Sequence, residues 1–278
     1  MNGVDLHTHT TASDGSLSPR ELVGKAKALG LAAVAITDHD TLAGLAEGTA
    51  AGGEEGIEVV PGVEISLAFP AGPLHLLGYF IAPDHPGLEA RLREIQQARK
   101  ERIPRLVAKL RELGLPLTLA DVEREARGEV MGRPHVALAL VRRGLVDSVA
   151  TAFARYLNRR APAYVPRPKM PPAEALALIQ AAGGLAVLAH PGQASLPPFA
   201  LEIQVAGMRA QGLKGLEVYY PEHTPAQTSF YLRLAEKYGL LITGGSDFHG
   251  SAKPHLRLGE VVDGRPVPYE LLAKLRSR

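Results

Sequence analysis

Four times along the chain a helix-like segment closes on glycine, a short apolar run follows, and a polar cluster ends it. The segments are KAKALG, LAAVAIT and DHD from Lys25; LIQAAGG, LAVLA and HPG from Leu178; MRAQG, LKGLEVYY and PEH from Met208; and AEKYG, LLITGG and SDFH from Ala235. Glycine just past a helix followed by a short β-rich run is the mark of an αβ loop, so the pattern predicts helix-to-strand units feeding one mostly parallel sheet. In such sheets and barrels the active site lies at the carboxyl ends of the strands. His39, His190, His223, Asp247 and His249 are therefore expected on one rim. His7 and His9 join them, because they directly follow GVDL, the expected first strand.

Between Pro83 and Met170 this pattern stops. The segments LEARLREIQQARKERI, LVAKLRELG, TLADVEREA, RPHVALALVRRG and SVATAFARYLN read as helices, and the region ends in the Pro-rich APAYVPRPKMPP. The expected organisation is an α/β body made of residues 1–82 and 171–278, with residues 83–170 inserted as a helical cap. Leu88, Leu92, Ile95, Ile103, Leu106 and Leu110 form the apolar stripe of a packed helix. Pro104 removes a backbone donor and is expected to kink or restart that helix. Arg99 stands where the stripe calls for an apolar group. It is either an arginine laid along the helix edge or one that faces an anion.

Composition sharpens the picture. With 278 residues, 46% of them hydrophobic, the chain can bury a substantial core. It has no cysteine, so it forms no disulfide, and nitrogen and oxygen are the donors left for a metal. No apolar run approaches the ~20 residues of a membrane span, and the first residues lack the pattern of a signal peptide, so the expected location is cytoplasmic. Residues 83–170 carry 18 Lys and Arg against 10 Asp and Glu, a surplus of +8, while the rest of the chain stands at −6. An acidic body under a basic cap suits a phosphate-rich substrate, although solvated helix faces produce such a surplus too.

The opening stretch DLHTHTTASDGSLSP concentrates candidate chemistry. On an extended segment residues i and i+2 point the same way, so His7 and His9 can reach one metal. Asp14 sits in an Asp-Gly turn, and Ser18, Pro19 and Glu21 form a capping box with proline at the first helical position. Asp14 is either a plain turn residue or a ligand. Glu64 in PGVEIS and His75 in PLHLLGYF lie within apolar strand patterns, where a polar group needs a partner. The nine positions His7, His9, Asp14, His39, Glu64, His75, His190, Asp247 and His249 exceed what one metal needs, and suit two or three divalent ions. Clusters of this kind clamp the attacking and leaving oxygens of a phosphoryl group.

DLHTHTTASDG, ITDHD, PGVEIS, LHLLGYF, VLAHPG and GSDFH resemble, in order and over essentially the whole chain, the motifs of the polymerase and histidinol phosphatase (PHP) superfamily. The resemblance implies a distorted seven-stranded (β/α) barrel with a trinuclear metal site. One ion would take His7, His9, Glu64 and Asp247; a second would share Glu64 and add His75 and His190; a third would take Asp14, His39 and His249. By the same resemblance manganese is the expected cofactor, with iron or zinc as alternatives. MGRPHVALALV, FARYLNRRAPAYVP and EVYYPEHTPAQ are similar to the 3′,5′-nucleoside bisphosphate phosphatases and to RNase AM, which trims RNA from its 5′ end. The implied reaction is hydrolysis of the 5′-phosphate of a nucleoside bisphosphate or of short 5′-phosphorylated RNA, with no protein partner implied.

Within this reading Arg133 and His135 open a cap helix and bind phosphate, or they are a solvated helix start. His223 is a phosphate contact, the acid that protonates the leaving oxygen, or a loop histidine. Asp5, Asp38 and Asp40 are expected to orient ligand imidazoles, Ser246 to shape the Asp247 turn, His85 to lie in a turn and His255 on a surface loop. Two rival functions remain open: a phosphatase of histidinol phosphate or another small phosphomonoester, and a metal-stabilised PHP module without catalysis.

Overall fold

The apolar runs become the strands of one sheet in a computed structural model, described over residues 3–70, 72–126, 131–166 and 169–277. Residues 167 and 168 of the Pro-rich stretch lie outside the described residues. The chain runs β1 (Gly3–Asp5), α1 (Pro19–Ala28), β2 (Ala33–Ile36), α2 (Leu45–Glu55), β3 (Glu58–Ser66), β4 (His75–Tyr79) and α3 (Pro86–Glu112). The short helices α4 (Leu119–Ala126), α5 (Arg133–Arg142) and α6 (Val149–Ala152) follow, the last continued by a π turn over Phe153–Leu157. Alternation then resumes with α7 (Pro172–Ala181), β5 (Leu185–Leu188), α8 (Pro198–Ala210), β6 (Gly215–Tyr219), α9 (Pro225–Tyr238), β7 (Leu241–Gly244), β8 (Val267–Pro268) and α10 (Tyr269–Arg276). The chain divides into two compact units, Met1–Arg93 with Lys169–Arg278, and Glu94–Pro168, the division falling within α3. No helix among the described residues is long and apolar enough to cross a membrane.

In the first unit the strand order is β7-β6-β5-β4-β3-β2-β1-β8. Seven strands form a distorted (β/α) barrel, and the two-residue β8 adds an antiparallel edge beside β1. The barrel nearly closes where Leu6 N donates to Gly244 O at 3.3 Å and Thr8 pairs with Phe248 in parallel. A side chain at Gly245 would put its Cβ 2.3 Å from His7 Cβ, so glycine is required at this seam. Tyr79 crosses the interior, its hydroxyl donating to Leu6 O at 2.8 Å.

Apart from the β8 edge, the sheet is parallel except around β4, which runs antiparallel to both β3 and β5. The connection over residues 67–74 is too short for the crossover that a parallel strand needs. Reversal places His75, the first residue of β4, opposite Ser66, the last of β3. A residue at a strand's start thereby reaches the rim formed by the other strands' ends.

The expected capping box opens α1: Ser18 Oγ accepts from Glu21 N, and Glu21 Oε2 accepts from Ser18 N at 2.8 Å. Leu22, Val23 and Ala26 of this helix are buried with Val34 and Ile36 of β2 and Ala51 of α2. Each fully buried Leu or Val contributes ~1.5–3 kcal/mol, so the loop carrying Asp14 ends on a firm anchor.

The second unit has its own core, with Ile103, Leu106, Leu110, Val122, Val136, Leu140 and Leu157 buried together. The expected helix restart at Pro104 does not occur, because α3 is continuous from Pro86 to Glu112. The proline still costs one backbone donor, and burial of Ile103 and Leu106 on either side holds the helix through it.

Candidate metal centre

All nine residues singled out as ligands converge at the rim of the barrel. Ligand atoms of His9, Asp14, His39 and His249 lie within 4.8 Å of one another, and so do those of His7, His9, Glu64 and Asp247, and those of His39, Glu64 and His75. His190 enters through Glu64, whose Oε1 is 2.8 Å from both His190 Nε2 and His75 Nδ1. Glu64 Oε2 lies 2.9 Å from His39 Nδ1, 3.2 Å from His9 Nε2 and 3.3 Å from His7 Nε2. One fully buried carboxylate is thus ringed by five imidazoles.

His9 faces two groups, with Nε2 3.1 Å from Asp247 Oδ1 and Nδ1 3.8 Å from Asp14 Oδ1. A neutral imidazole has one lone pair, and the Nε2 side, between Glu64 and Asp247, is the closer of the two. Asp14 is the most open member, its side chain 41% exposed, and lies 3.4 Å from His249 Nε2.

The electrostatics ask for cations. Burial pushes the Glu64 carboxyl up, but the imidazoles of His39, His75 and His7 hold it well below the usual carboxylate range. Asp247 is likewise held far down, burial being outweighed by His9 and His7. Burial lowers His9, yet Asp247 and Glu64 more than reverse this and carry it to about 9. His75 is pulled down to about 4, mainly by burial, and so keeps a neutral ring. His7 Nε2, both nitrogens of His9, His39 Nδ1, His249 Nε2 and Glu64 Oε2 are buried without a hydrogen-bond partner. Orphaned polar atoms of this kind are costly and rare. Six of them gathered in one cluster, among ionised carboxylates and without thiolates, are a donor set that fits divalent metal ions.

The groups behind the rim differ from expectation. Asp5 does not orient a ligand ring: it accepts from Ser246 N and Oγ, from Gly259 N and from His7 N, tying loops together. Ser246 therefore does more than shape a turn. Asp38 accepts from Thr10 N, Thr10 Oγ and Ser13 Oγ, which fixes the loop leading to Asp14. Asp40 accepts from Ser66 N and Oγ at the end of β3. Each of these carboxylates takes backbone N–H and hydroxyl donors where a strand or loop closes.

Three residues that the sequence reading did not single out touch the candidate ligands. Glu217 of β6, fully buried, takes His7 Nδ1 at 3.0 Å and His190 N at 2.6 Å. Lys253 Nζ at 2.8 Å and Tyr220 OH at 3.2 Å both hold Asp247 Oδ2, leaving Oδ1 toward His9. An acidic residue inside the apolar strand GLEVY was a legible signal for Glu217. Tyr220 and Lys253 carry none, because their role depends on where two loops meet.

His223 stands outside the nine. Its Nδ1 donates to Val218 O at 2.9 Å, so Nε2 carries the lone pair and faces Gly192 N at 3.4 Å. Burial lowers its pKa. His85 accepts from Leu88 N at the start of α3, and His255, 62% exposed, pairs with Glu222. In the second unit, Arg133 donates to Leu157 O at 3.0 Å, with its guanidinium near the rings of Phe153 and Tyr164. His135 Nδ1 accepts from Gly132 N at 3.2 Å and so caps α5. Arg99 is half-buried on α3.

The model of the PHP domain matches residues 5–157. The chain belongs to the PHP domain family. The 3′,5′-nucleoside bisphosphate phosphatase of Chromobacterium violaceum is 33% identical to this PHP protein over 279 aligned positions, covering 100% of this chain and 98% of the relative. A 5′-3′ exoribonuclease of Escherichia coli is 35% identical, over 92% of this chain and 87% of its own. Among solved structures, a protein from Bifidobacterium adolescentis proposed to be a metal-dependent phosphoesterase superposes with a TM-score of 0.77 at 35% identity, over 99% of this chain and 96% of its own. An amidohydrolase from Chromobacterium violaceum, solved with sulfate and no metal, gives 0.76 at 34% identity, over 98% and 96%.

Proposed function

We propose that this PHP protein is a phosphoric ester hydrolase that removes the 5′-phosphate from 3′,5′-nucleoside bisphosphates and from short 5′-phosphorylated RNA. The observation that carries the reading is the buried Glu64 carboxylate ringed by five imidazoles, with Asp14, Asp247 and His249 completing the cluster. The near full-length likeness to a nucleoside bisphosphate phosphatase and to exoribonucleases supports the choice of substrate.

In this reading three divalent ions are held: one by His7, His9, Glu64 and Asp247, a second by Glu64, His75 and His190, a third by Asp14, His39 and His249. Manganese is the first choice, and iron or zinc suits the same nitrogen and oxygen donors. When bound, such ions activate water and neutralise phosphoryl oxygens. The chain's own part is to keep Glu64 and Asp247 ionised, to aim the imidazoles inward, and to bind the substrate's charge. Arg133 and His135 are assigned to the phosphates, with Arg99 as a further anion contact. His223 is assigned to phosphate contact or to protonation of the leaving oxygen; with Nδ1 donating to Val218 O, either role uses a proton on Nε2, which burial opposes until an anion is bound.

The test is phosphate release by manganese-loaded protein from a 3′,5′-bisphosphate, its 5′-monophosphate and short 5′-phosphorylated RNA. The bisphosphate is expected to give the highest kcat/KM. Arg133→Ala is expected to erase most of that preference, about ten- to a hundredfold, the scale of one hydrogen bond to a charged group. Equal rates on both nucleotides in the wild type would favour a simple phosphomonoester as substrate. Bound metal with no release from any of them would leave the non-catalytic module.

Asp14 has its own test. Asp14→Asn is expected to lower the metal content by about one ion per chain while the rest stay bound, because its carboxylate serves the third position only. Elemental analysis after dialysis reads this directly. An unchanged metal count would make Asp14 a turn residue.

A further inference from the structure

We propose that Glu217 is a positioning residue that sets the ring of one metal ligand and the backbone of another, and so couples the filling of two ion positions. The inference rests on the ligand assignment proposed above. Glu217 lies in β6, a strand whose neighbours Leu216 and Val218 are buried, and its own side chain is fully buried. A carboxylate there must be paired to be tolerated. Both of its partners belong to the candidate ligand set.

Glu217 Oε1 is 3.0 Å from His7 Nδ1. A carboxylate oxygen accepts, so Nδ1 of His7 is the donor, and a neutral His7 ring that binds a metal must do so through the lone pair on Nε2. That Nε2 points at Glu64 Oε2, 3.3 Å away, and Asp247 Oδ1, 3.6 Å away. The contact therefore selects the tautomer that can bind an ion, locks the ring plane and makes Nε2 a better donor.

The second oxygen, Oε2, accepts from His190 N at 2.6 Å. His190 has φ 21°, in the left-handed region that side chains other than glycine rarely adopt, at a typical cost of ~1–3 kcal/mol. The same residue sends its Nε2 to within 2.8 Å of Glu64 Oε1. Glu217 thus holds the strained turn that brings His190 inward. His7 serves one proposed ion and His190 another, and one carboxylate braces both.

Glu217→Gln tests this with little change in size. An amide has one acceptor oxygen, so it can serve His7 Nδ1–H or His190 N–H, and it turns an NH₂ donor toward the other. Manganese binding by equilibrium dialysis, with elemental analysis, is expected to show two of the ions bound about 10–100-fold more weakly, the scale of an outer-sphere ligand partner, and the third unchanged. NMR of ¹⁵N-histidine-labelled, zinc-loaded protein is expected to show His7 with its proton on Nδ1 and Nε2 taken by the metal in the wild type, and loss of that preference in the variant. Glu217→Asp, which keeps the charge but withdraws it by one methylene, is expected to recover part of the affinity. Should Glu217→Gln lack a cooperative melting transition, Glu217→Asp carries the test, with the same two ions weakened relative to wild type.

Isotherms identical to wild type in a folded variant would overturn the proposal, and weakening of one ion alone would overturn the coupling. Failure of the wild type itself to bind manganese would instead count against the underlying metal-site reading.

Discussion

Glu64→Gln is expected to lower phosphate release by at least about 10³-fold, with loss of bound metal, while the protein remains folded. Glutamine keeps the shape of the side chain and removes its charge. Glu64 Oε1 meets His75 and His190, and Oε2 faces His7, His9 and His39, all within 3.3 Å. In the proposed assignment this carboxylate is shared by two ions, and an amide oxygen is too weak a ligand to hold both. Ions of this kind supply several kcal/mol of transition-state stabilisation, and about 4 kcal/mol corresponds to 10³ in rate. Steady-state phosphate release, metal content and far-UV circular dichroism of one preparation check the three parts together. Wild-type activity in a variant depleted of metal would remove the cluster from the chemistry.

Metal removal is expected to have an effect as large by a different route. Dialysis against a chelator should take activity to background without unfolding the chain, and manganese should restore it. The fold should survive because its stability lies in clusters that contain no ligand. Val4, Leu6, Leu77, Tyr79 and Val187 fill one core of the barrel unit, Leu22, Val34 and Ile36 another, and the helical unit has its own. The ligands occupy the rim. Binding still stabilises the folded state by linkage, ~4 kcal/mol when the ion stands at a thousand times its Kd, so the loaded protein should melt at a higher temperature. Activity that persists after removal, or collapse of the circular dichroism on chelation, would contradict a catalytic metal site on a self-sufficient barrel.

Much of this was legible before any coordinates. Apolar runs closed by DHD, HPG and SDFH named the rim, because a strand buried by helices must be apolar until it leaves the sheet, and polar ligands can stand only where it leaves. The start of α1 was legible as well, since capping chemistry is local: Ser18, Pro19 and Glu21 meet within one turn whatever surrounds them. Pro104 shows the limit of such local rules. Its lost hydrogen bond predicts a kink or a restart, and with Ile103 and Leu106 buried beside it the helix runs on without a restart.

The amino-acid sequence by itself determined which residue types could form the centre, which strand ends carry them, and that no thiolate takes part, because these follow from period, composition and short-range spacing. The tertiary structure alone decided how they are used. Reversal of β4 brought His75 to the rim, and left-handed backbone at His190 and Asp247 turned two strand ends inward. Asp5 and Asp38 were given to loops, while Glu217, on a strand far away in sequence, became the partner of His7 and His190. A buried carboxylate pairs with whatever donor the fold places within about 3 Å of it, and that distance is set by the closure of the barrel, which no stretch of sequence contains.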